Sequence, residues 1–360
     1  MAKSICFFNH KGGVSKTTTT FNLGWVLASS GYKVMMVDLD SQCNLTGMSM
    51  GFNQVQEANL EQFYLDRNNL HMGLVVDFII SGGQPGTFLT RETGSLQTTK
   101  NPNLYLLAGN IGVSELDQQI SVSLKVSAGI PATRNIPGHL PRIISEIAQE
   151  NSIDYVLYDL SPNIGGLNQI ALMSSDYFVV PTSPDFFCWQ AISSLATHIP
   201  KWHEELRLYK LMSNRDTSVS IKNSPLFLGT LHQRYRPRNG SPAASFQDWI
   251  DKIRTAVDQR LVTALDEIQC VIPRESVEMV NHMFNNGDVP LTPYDLAQIS
   301  DFNSLIAISQ ANSTPVFELT EQQIRDAGQF GHALNTMMAN RDSFLESFNA
   351  LGNKIIELTQ

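Results

Sequence analysis

Short apolar runs alternate with longer stretches of helical spacing along most of the chain. Ser4–Phe8 (SICFF) fits a buried parallel strand. Thr17–Ser29 carries apolar residues at helical spacing, and Gly31 stands where a glycine closes a helix. Lys33–Val37 (KVMMV) reads as a second buried strand, ending in Asp38-Leu39-Asp40. The chain thus opens as strand, loop, helix, strand, the βαβ unit of a parallel sheet. The same alternation predicts strands at Leu104–Ala108, Tyr155–Tyr158, Tyr177–Pro181, Leu226–Leu231 and near Ile268–Ile272. It predicts helices over Leu140–Gln149, Gly166–Met173, Trp189–Trp202 and Phe246–Asp266. The expected fold class is α/β, a doubly wound, mostly parallel sheet with helices on both faces and ligands outside the carboxyl ends of the strands.

Three stretches break the alternation and read as loops or insertions. Ser81–Pro102 is rich in Gly and Thr, Leu211–Pro225 in Asn, Asp and Ser, and Asn285–Ser304 in Gly, Asn and Pro. With no internal repeat or linker, residues 1–360 read as a single domain with lateral insertions. A last helix near Arg341–Leu358 aligns Phe344, Leu345, Phe348, Leu351, Ile355 and Leu358 in a stripe suited to packing on the chain's own core.

Composition narrows the picture further. Apolar residues make up 42% and charged residues 16% of the 360, a globular balance with enough material for a sizeable core. The net charge of −9 argues against a surface that binds nucleic acid all over, while leaving room for a local basic patch. Cys6, Cys43, Cys188 and Cys270 form no CxxC pair, so reduced and mostly buried thiols in a cytoplasmic protein are expected. No signal-peptide pattern opens the chain, and no apolar run approaches the roughly 20 residues that cross a bilayer. The expectation is a cytoplasmic protein with no membrane partner.

The chemistry concentrates in His10–Thr18 (HKGGVSKTT), between the first strand and the first helix. A polyphosphate needs closely spaced backbone N–H groups, a helix N-terminus whose dipole favours anions, and a lysine for the outer phosphates. Gly12 and Gly13 allow the close approach, Lys16 supplies the charge, Thr17 is the expected Mg²⁺ ligand and Thr18 faces the inner phosphates. The pattern G-x-x-x-x-G-K-[ST] is not met, since His10 and Ser15 stand in place of its glycines. A second lysine, Lys11, lies five residues before Lys16.

This loop resembles the deviant Walker A motif, K-G-G-x-x-K-[ST], of the ParA/MinD family. Val37–Asn44 (VDLDSQCN) is similar to the family's D-x-D-P-Q-x-N motif, with Ser41 replacing its proline. Tyr155–Gly165 (YVLYDLSPNIG) is similar to its Walker B strand and switch loop, and Ala171–Pro184 and Ile272–Arg274 (IPR) also resemble it. The resemblance runs over about residues 2–280 and implies a P-loop ATPase using ATP and Mg²⁺. It implies that the loop Lys11, Gly12, Gly13, Val14, Ser15, Lys16, Thr17 and Thr18 holds the nucleotide, with Pro273 and Gln233 on the base side. Asp40 would orient the attacking water, and Asp38 and Asp159 would stand near Mg²⁺ with Thr17. Lys16 would serve the chain's own nucleotide, and Lys11 would reach across a homodimer to the partner's. Ser15 departs from the glycine that most family members carry.

Within the family, the C-terminal helix has too little basic character for a membrane anchor, having Arg341 and Lys354 against Asp342, Glu346 and Glu357. Bridging-cysteine and terminal-tyrosine patterns are missing as well. ParA-like partition proteins bind DNA without sequence preference once ATP has dimerised them. The best basic segment for that is Gln233–Arg238 (QRYRPR), with Arg234, Arg236 and Arg238; Lys201, Arg207, Lys210, Arg215 and Lys222 could extend it. The resemblance implies a slow ATPase that segregates or positions a cargo, stimulated by a ParB-like or other partner and nucleoid-associated if it binds DNA. The alternative is a nucleotide-gated dimeric module that regulates a partner protein, with little DNA role.

Overall fold

The computed structural model describes residues 2–51, 57–84, 86–90, 93–126, 135–212, 220–238, 241–284 and 292–360. Its strands are β1 (Lys3–Phe7), β2 (Val34–Leu39), β3 (Gln97–Thr98), β4 (Leu104–Leu107), β5 (Tyr155–Leu160), β6 (Tyr177–Thr182), β7 (Leu226–Tyr235), β8 (Pro237–Arg238), β9 (Ser241–Pro242) and β10 (Asp295–Ser300). Eight of them form one sheet in the order β10-β7-β6-β1-β5-β2-β4-β3, and β8 with β9 makes a separate ribbon. Every pairing in the large sheet is parallel except that of the edge strand β3 with β4.

The chain moves from β1 to β2 and β4 in one direction, then returns through β5, β6 and β7 in the other. Right-handed crossovers that reverse direction put their helices on opposite faces. The contacts follow that rule. Helix Lys16–Ser29 packs with Asn44–Met50 and with the last helix, Gly331–Leu358, whereas Val113–Val126, Ile136–Glu150, Gly166–Ser174 and Phe186–Met212 pack among themselves; Met72–Ile80, between β2 and β4, is an exception and packs with Val113–Val126 and Ile136–Glu150. The central strands are apolar and fully buried because both faces are covered; Val34 to Val37 and Phe178 to Val180 are 0% exposed. Gly24 lets helix Lys16–Ser29 lie close on the sheet, where a Cβ would stand 3.1 Å from Leu104 and 3.2 Å from Met36.

Most predicted elements appear with shifted ends. The last helix begins ten residues earlier than expected, at Gly331, and buries Phe344, Phe348, Leu351, Ile355 and Leu358 as the stripe predicts, with Leu345 half-buried. Its Lys354 is buried too and donates to the Leu296 carbonyl (2.8 Å). The helix expected over Phe246–Asp266 is Ala244–Ala256, continued by a π turn (Val257–Val262) and a last α turn (Thr263–Asp266).

Two expectations need correction. Ile268–Ile272 is not a regular strand: Val271 makes one isolated bridge to Phe227, and Pro273, which has no N–H to extend a ladder, leads into helix Arg274–Phe284. The rest of that edge of β7 is taken by β10, which lies inside the stretch read as the loop Asn285–Ser304. Its polar face hid it. Asp295 is 1% exposed, satisfied by His232 Nε2 (2.8 Å) and Arg254 Nε (2.6 Å), while His232 Nδ1 pairs with Thr182 Oγ1 (3.0 Å). Of the other two expected insertions, Ser81–Pro102 contributes β3, and residues 213–219 of Leu211–Pro225, like residues 285–291, lie outside the described residues.

Candidate nucleotide site

The sheet brings its chemistry to the carboxyl ends of β1, β2, β5, β6, β7 and β10. After β1 the chain turns through Gly13 (φ 73°) and Ser15 (φ 61°) into helix Lys16–Ser29. Ser15 occupies the left-handed region, where a residue with a Cβ is strained by about 1–2 kcal/mol. No side chain caps the helix and its first turn holds no acid, so its leading N–H groups are left for an anion. Val14 is fully buried and offers only its main chain. Lys16 is 7% exposed and folds back on the loop, donating to the carbonyls of Asn9 (2.8 Å) and Lys11 (3.3 Å). Burial lowers its pKa, against the opposing pull of Asp159 and Asp40.

Three carboxylates gather at the ends of β2 and β5, with Asp40 and Asp159 near enough to act on this lysine, and the structure gives each a different standing. Asp38 has little capacity left: Oδ2 accepts from the Thr46 N–H (2.9 Å) and hydroxyl (2.7 Å), and Oδ1 from the Asp40 N–H (3.2 Å). Burial pushes its pKa up to about 6, with the Thr46 bonds holding it down in part. Asp159 is 1% exposed and neither of its oxygens has a hydrogen-bond partner. Burial, then the charge of Asp38, raises its pKa; Thr17 is near enough to favour ionisation but makes no hydrogen bond to it. Two orphaned, buried carboxylate oxygens beside a threonine hydroxyl fit a hydrated divalent cation. Among the described residues no three His, Cys, Asp or Glu side chains gather as a metal cage. Asp40 is 7% exposed, lines the cavity and uses Oδ1 to accept from the Gln42 N–H (3.1 Å).

Lys11 points elsewhere. Its ammonium donates to Asp185 Oδ2 (2.6 Å) and Ser183 Oγ (2.9 Å), just past the end of β6. Ser183 and the Cys188 N–H also donate to Asp185 (2.8 and 3.0 Å). Burial alone would raise the Asp185 pKa, but these donors, Lys11 foremost, bring it below the ordinary value. Sequence reasoning missed Asp185, although its place just past a strand end was a usable signal.

A cavity of about 1080 Å³ lies over the loop, lined from Gly12 to Thr18 and by Asp40, Tyr64, Arg234, Phe302 and Ile306 among others. Of the three arginines expected to bind DNA, Arg234 is turned onto the phosphate loop. The ladder between β10 and β7 skips Arg234, which sits in a bulge at φ 63° and donates to the Gly13 carbonyl (2.6 Å). Beside it Gln233 donates to Thr19 Oγ1 (2.6 Å). Arg236 is exposed, and the side chain of Arg238 lies outside the described residues. Lys201, Arg207 and Lys222 pair with Glu205, Glu204 and Asp176, Lys210 donates to the Ile221 carbonyl, and Arg215 lies outside the described residues. Pro273 is exposed and does not line the cavity, because its segment stops beside the start of β7.

A parallel sheet with a lysine-bearing glycine loop between β1 and its helix, and carboxylates at the ends of β2 and β5, defines a P-loop nucleotide-binding protein. A family model described as an AAA domain matches residues 2–211. The chain belongs to that family, among its ParA/MinD-type P-loop ATPases. The sporulation initiation inhibitor protein Soj of Bacillus subtilis is 28% identical over 197 residues, 54% of this chain and 64% of that protein. The chain therefore spans less than two thirds of that relative's length. The chromosome-partitioning ATPase Soj of Treponema pallidum is 27% identical over 221 residues, 61% of this chain and 69% of that protein. Among solved structures, an ATP complex of a Cyanothece McdA variant matches the fold with a TM-score of 0.55 at 13% identity, covering 94% of this chain and 96% of that one. Among the described residues, no helix is long and apolar enough to cross a membrane.

Proposed function

We propose that the chain is an ATPase that binds Mg²⁺·ATP in this cavity and dimerises around it to segregate or position a cargo. The observation that carries the reading is the pair of lysines on one loop, Lys16 turned inward toward Asp40 and Asp159 and Lys11 reaching outward to Asp185. The loop N–H groups hold the phosphates, and Lys16, released from the Asn9 carbonyl, takes the outer ones. Thr17 and Asp159 hold the cation, which supplies charge neutralisation. Asp38 acts mainly by fixing Thr46, and through it Gly109, at the edge of the site. Among the described residues one Asp40 oxygen makes no protein hydrogen bond, the placement a base or water-orienting group requires. Lys11 leaves Asp185 and meets the partner's nucleotide, adding positive charge where negative charge develops in the transition state. The printed name of the Treponema relative, a chromosome-partitioning ATPase, supports the cargo role, with a ParB-like or other partner stimulating turnover.

The test is hydrolysis and dimerisation together. Lys16→Ala should lose ATP hydrolysis, and Lys11→Ala should bind ATP yet stay monomeric. Parental hydrolysis by the first, or a parental dimer population in the second, refutes the assignment.

Nonspecific DNA binding by the ATP-bound dimer belongs to this proposal, with Arg236 and Arg238 as its contacts. The second reading, a nucleotide-gated switch with little DNA role, is favoured by the engagement of Arg234 with the loop and by the ion pairs that occupy Lys201, Arg207 and Lys222. Retention on a long duplex at low salt separates them. ATP-dependent binding lost in Arg236→Ala/Arg238→Ala supports the DNA role, and no binding in any nucleotide state excludes it.

A further inference from the structure

The two ends of the cavity are distinguishable. Tyr64 donates to the Gly109 carbonyl (2.7 Å), and a Cβ on Gly109 would stand 2.8 Å from the Asp38 carboxyl carbon. The walls around Tyr64 therefore adjoin the carboxylates and mark the terminal-phosphate end. Arg234, on Gly13, marks the other end. There the chain leaves β10 at Asp301 and crosses in front of helix Lys16–Ser29. Helix Leu305–Asn312 packs on Asn44–Met50, and the Val316 N–H then donates to Asn22 Oδ1 (3.2 Å). This strap supplies Phe302, Ile306 and Gln310 to the cavity wall.

A triphosphate laid over the loop with its last phosphate toward Asp40 and Asp159 sends its nucleoside toward Arg234 and the strap. We propose that the strap is the nucleoside subsite: the adenine lies on Ile306 and is read at its edge by the Gln310 amide, while Arg234 and Asp301 flank the sugar. This rests on the ATP-binding reading above. Ile306 and Gln310 are one helical turn apart and share a face. The Gln310 amide makes no hydrogen bond among the described residues, so it is free to pair with a base edge. Phe302 is 6% exposed and wedged against Phe344 (4.7 Å between ring centroids) and Phe348 (6.2 Å), which holds the strap in place. Arg234 sits in the left-handed region at a bulge that aims its side chain at the loop, a local strain found where a site needs the group. Asp301 directly follows the last residue of β10 and has one carboxylate oxygen beyond the one that accepts the Asn303 N–H (2.9 Å).

Calorimetry on the full chain with Mg²⁺ tests this, using ATP, GTP and inorganic tripolyphosphate as probes. Gln310→Leu should weaken ATP binding by about tenfold and narrow the preference for ATP over GTP, with tripolyphosphate binding unchanged. Ile306→Ala should weaken ATP and leave tripolyphosphate alone, and Pro273→Ala should change neither. Parental ATP affinity in both strap variants overturns the inference. So does a parallel loss of ATP and tripolyphosphate, since the strap would then act on the loop and not on the nucleoside. Lys16→Ala separates the two claims: parental tripolyphosphate binding there refutes the phosphate-loop reading itself, and this inference with it.

Discussion

Replacing Asp185 by asparagine tests whether its ion pair with Lys11 holds the chain back from dimerising. The pair is short, 2.6 Å, and half-buried, with 24% of the Lys11 side chain and 37% of the Asp185 side chain exposed. Exposed pairs contribute about 0.2–1 kcal/mol and charge-assisted hydrogen bonds about 1.5–3 kcal/mol. Discounted for this exposure, about 1 kcal/mol per protomer is reasonable. Asparagine keeps Oδ1 for the Cys188 N–H, and its amide nitrogen in place of Oδ2 can donate to the Ser183 hydroxyl oxygen, so the turn after β6 should survive. A homodimer in which each Lys11 serves the other chain's nucleotide must release both pairs. The two costs add to about 2 kcal/mol, so Asp185→Asn should tighten the ATP-bound dimer by about thirtyfold. The dimer dissociation constant is measured by sedimentation with Mg²⁺·ATP, in an Asp40→Ala background so that turnover does not drain the complex. The gain should shrink with added salt in the parent, as screening loosens the pair there. It should vanish when Lys11 is also alanine. A dimer no tighter than the parent's, or one that tightens equally without Lys11, would refute the latch.

Other outcomes follow from the buried charges. Asp38 and Asp159 have raised pKa values when folded, so the nucleotide-free protein should lose stability as pH climbs from 3.8 through about 6, the Asp159 part of the loss continuing beyond. Asp159→Asn should flatten that loss and stabilise the nucleotide-free protein at pH 8 by on the order of 2 kcal/mol, while abolishing the gain from Mg²⁺·ATP; an unchanged pH profile of melting would count against it. Lys354 behaves in the opposite sense: burial lowers its pKa from 10.5 to about 8, so the parent should gain stability as pH rises from 8 to 10.5. Lys354→Met should lack that gain and be more stable at pH 7 by about 2 kcal/mol, after allowing for the lost bond to Leu296, and a denaturant titration at both pH values decides it. Ser15→Gly should remove the left-handed strain and, offset by glycine's unfolded-state entropy, raise the melting temperature by no more than a few degrees; a drop would mean that the Ser15 side chain stabilises the loop.

The chain's local pattern determined the parallel sheet and the phosphate loop. An unbroken apolar run such as Val34–Val37 can be satisfied only inside a doubly covered sheet, and a glycine-lysine loop between strand and helix has one common use. Asp40 and Asp159 were legible for the same reason, since they end apolar strands whose order places them beside that loop. The tertiary structure decided what depends on distant partners. β10 reads as polar loop because Asp295 is made burial-worthy by His232 and Arg254, 63 and 41 residues away. Asp38 and Asp159 look alike in the sequence; only packing shows that Thr46 occupies the first and leaves the second unpartnered. Arg234, one of three arginines in a short basic segment, is turned onto the phosphate loop by a bulge that exists only because β10 pairs with β7. Pro273, expected on the base side, stands off the cavity because β10, and not the IPR segment, reaches the site end of β7. Backbone periodicity is written along the chain, whereas the direction of a charged side chain is set by whichever partner the fold brings within about 3 Å of it.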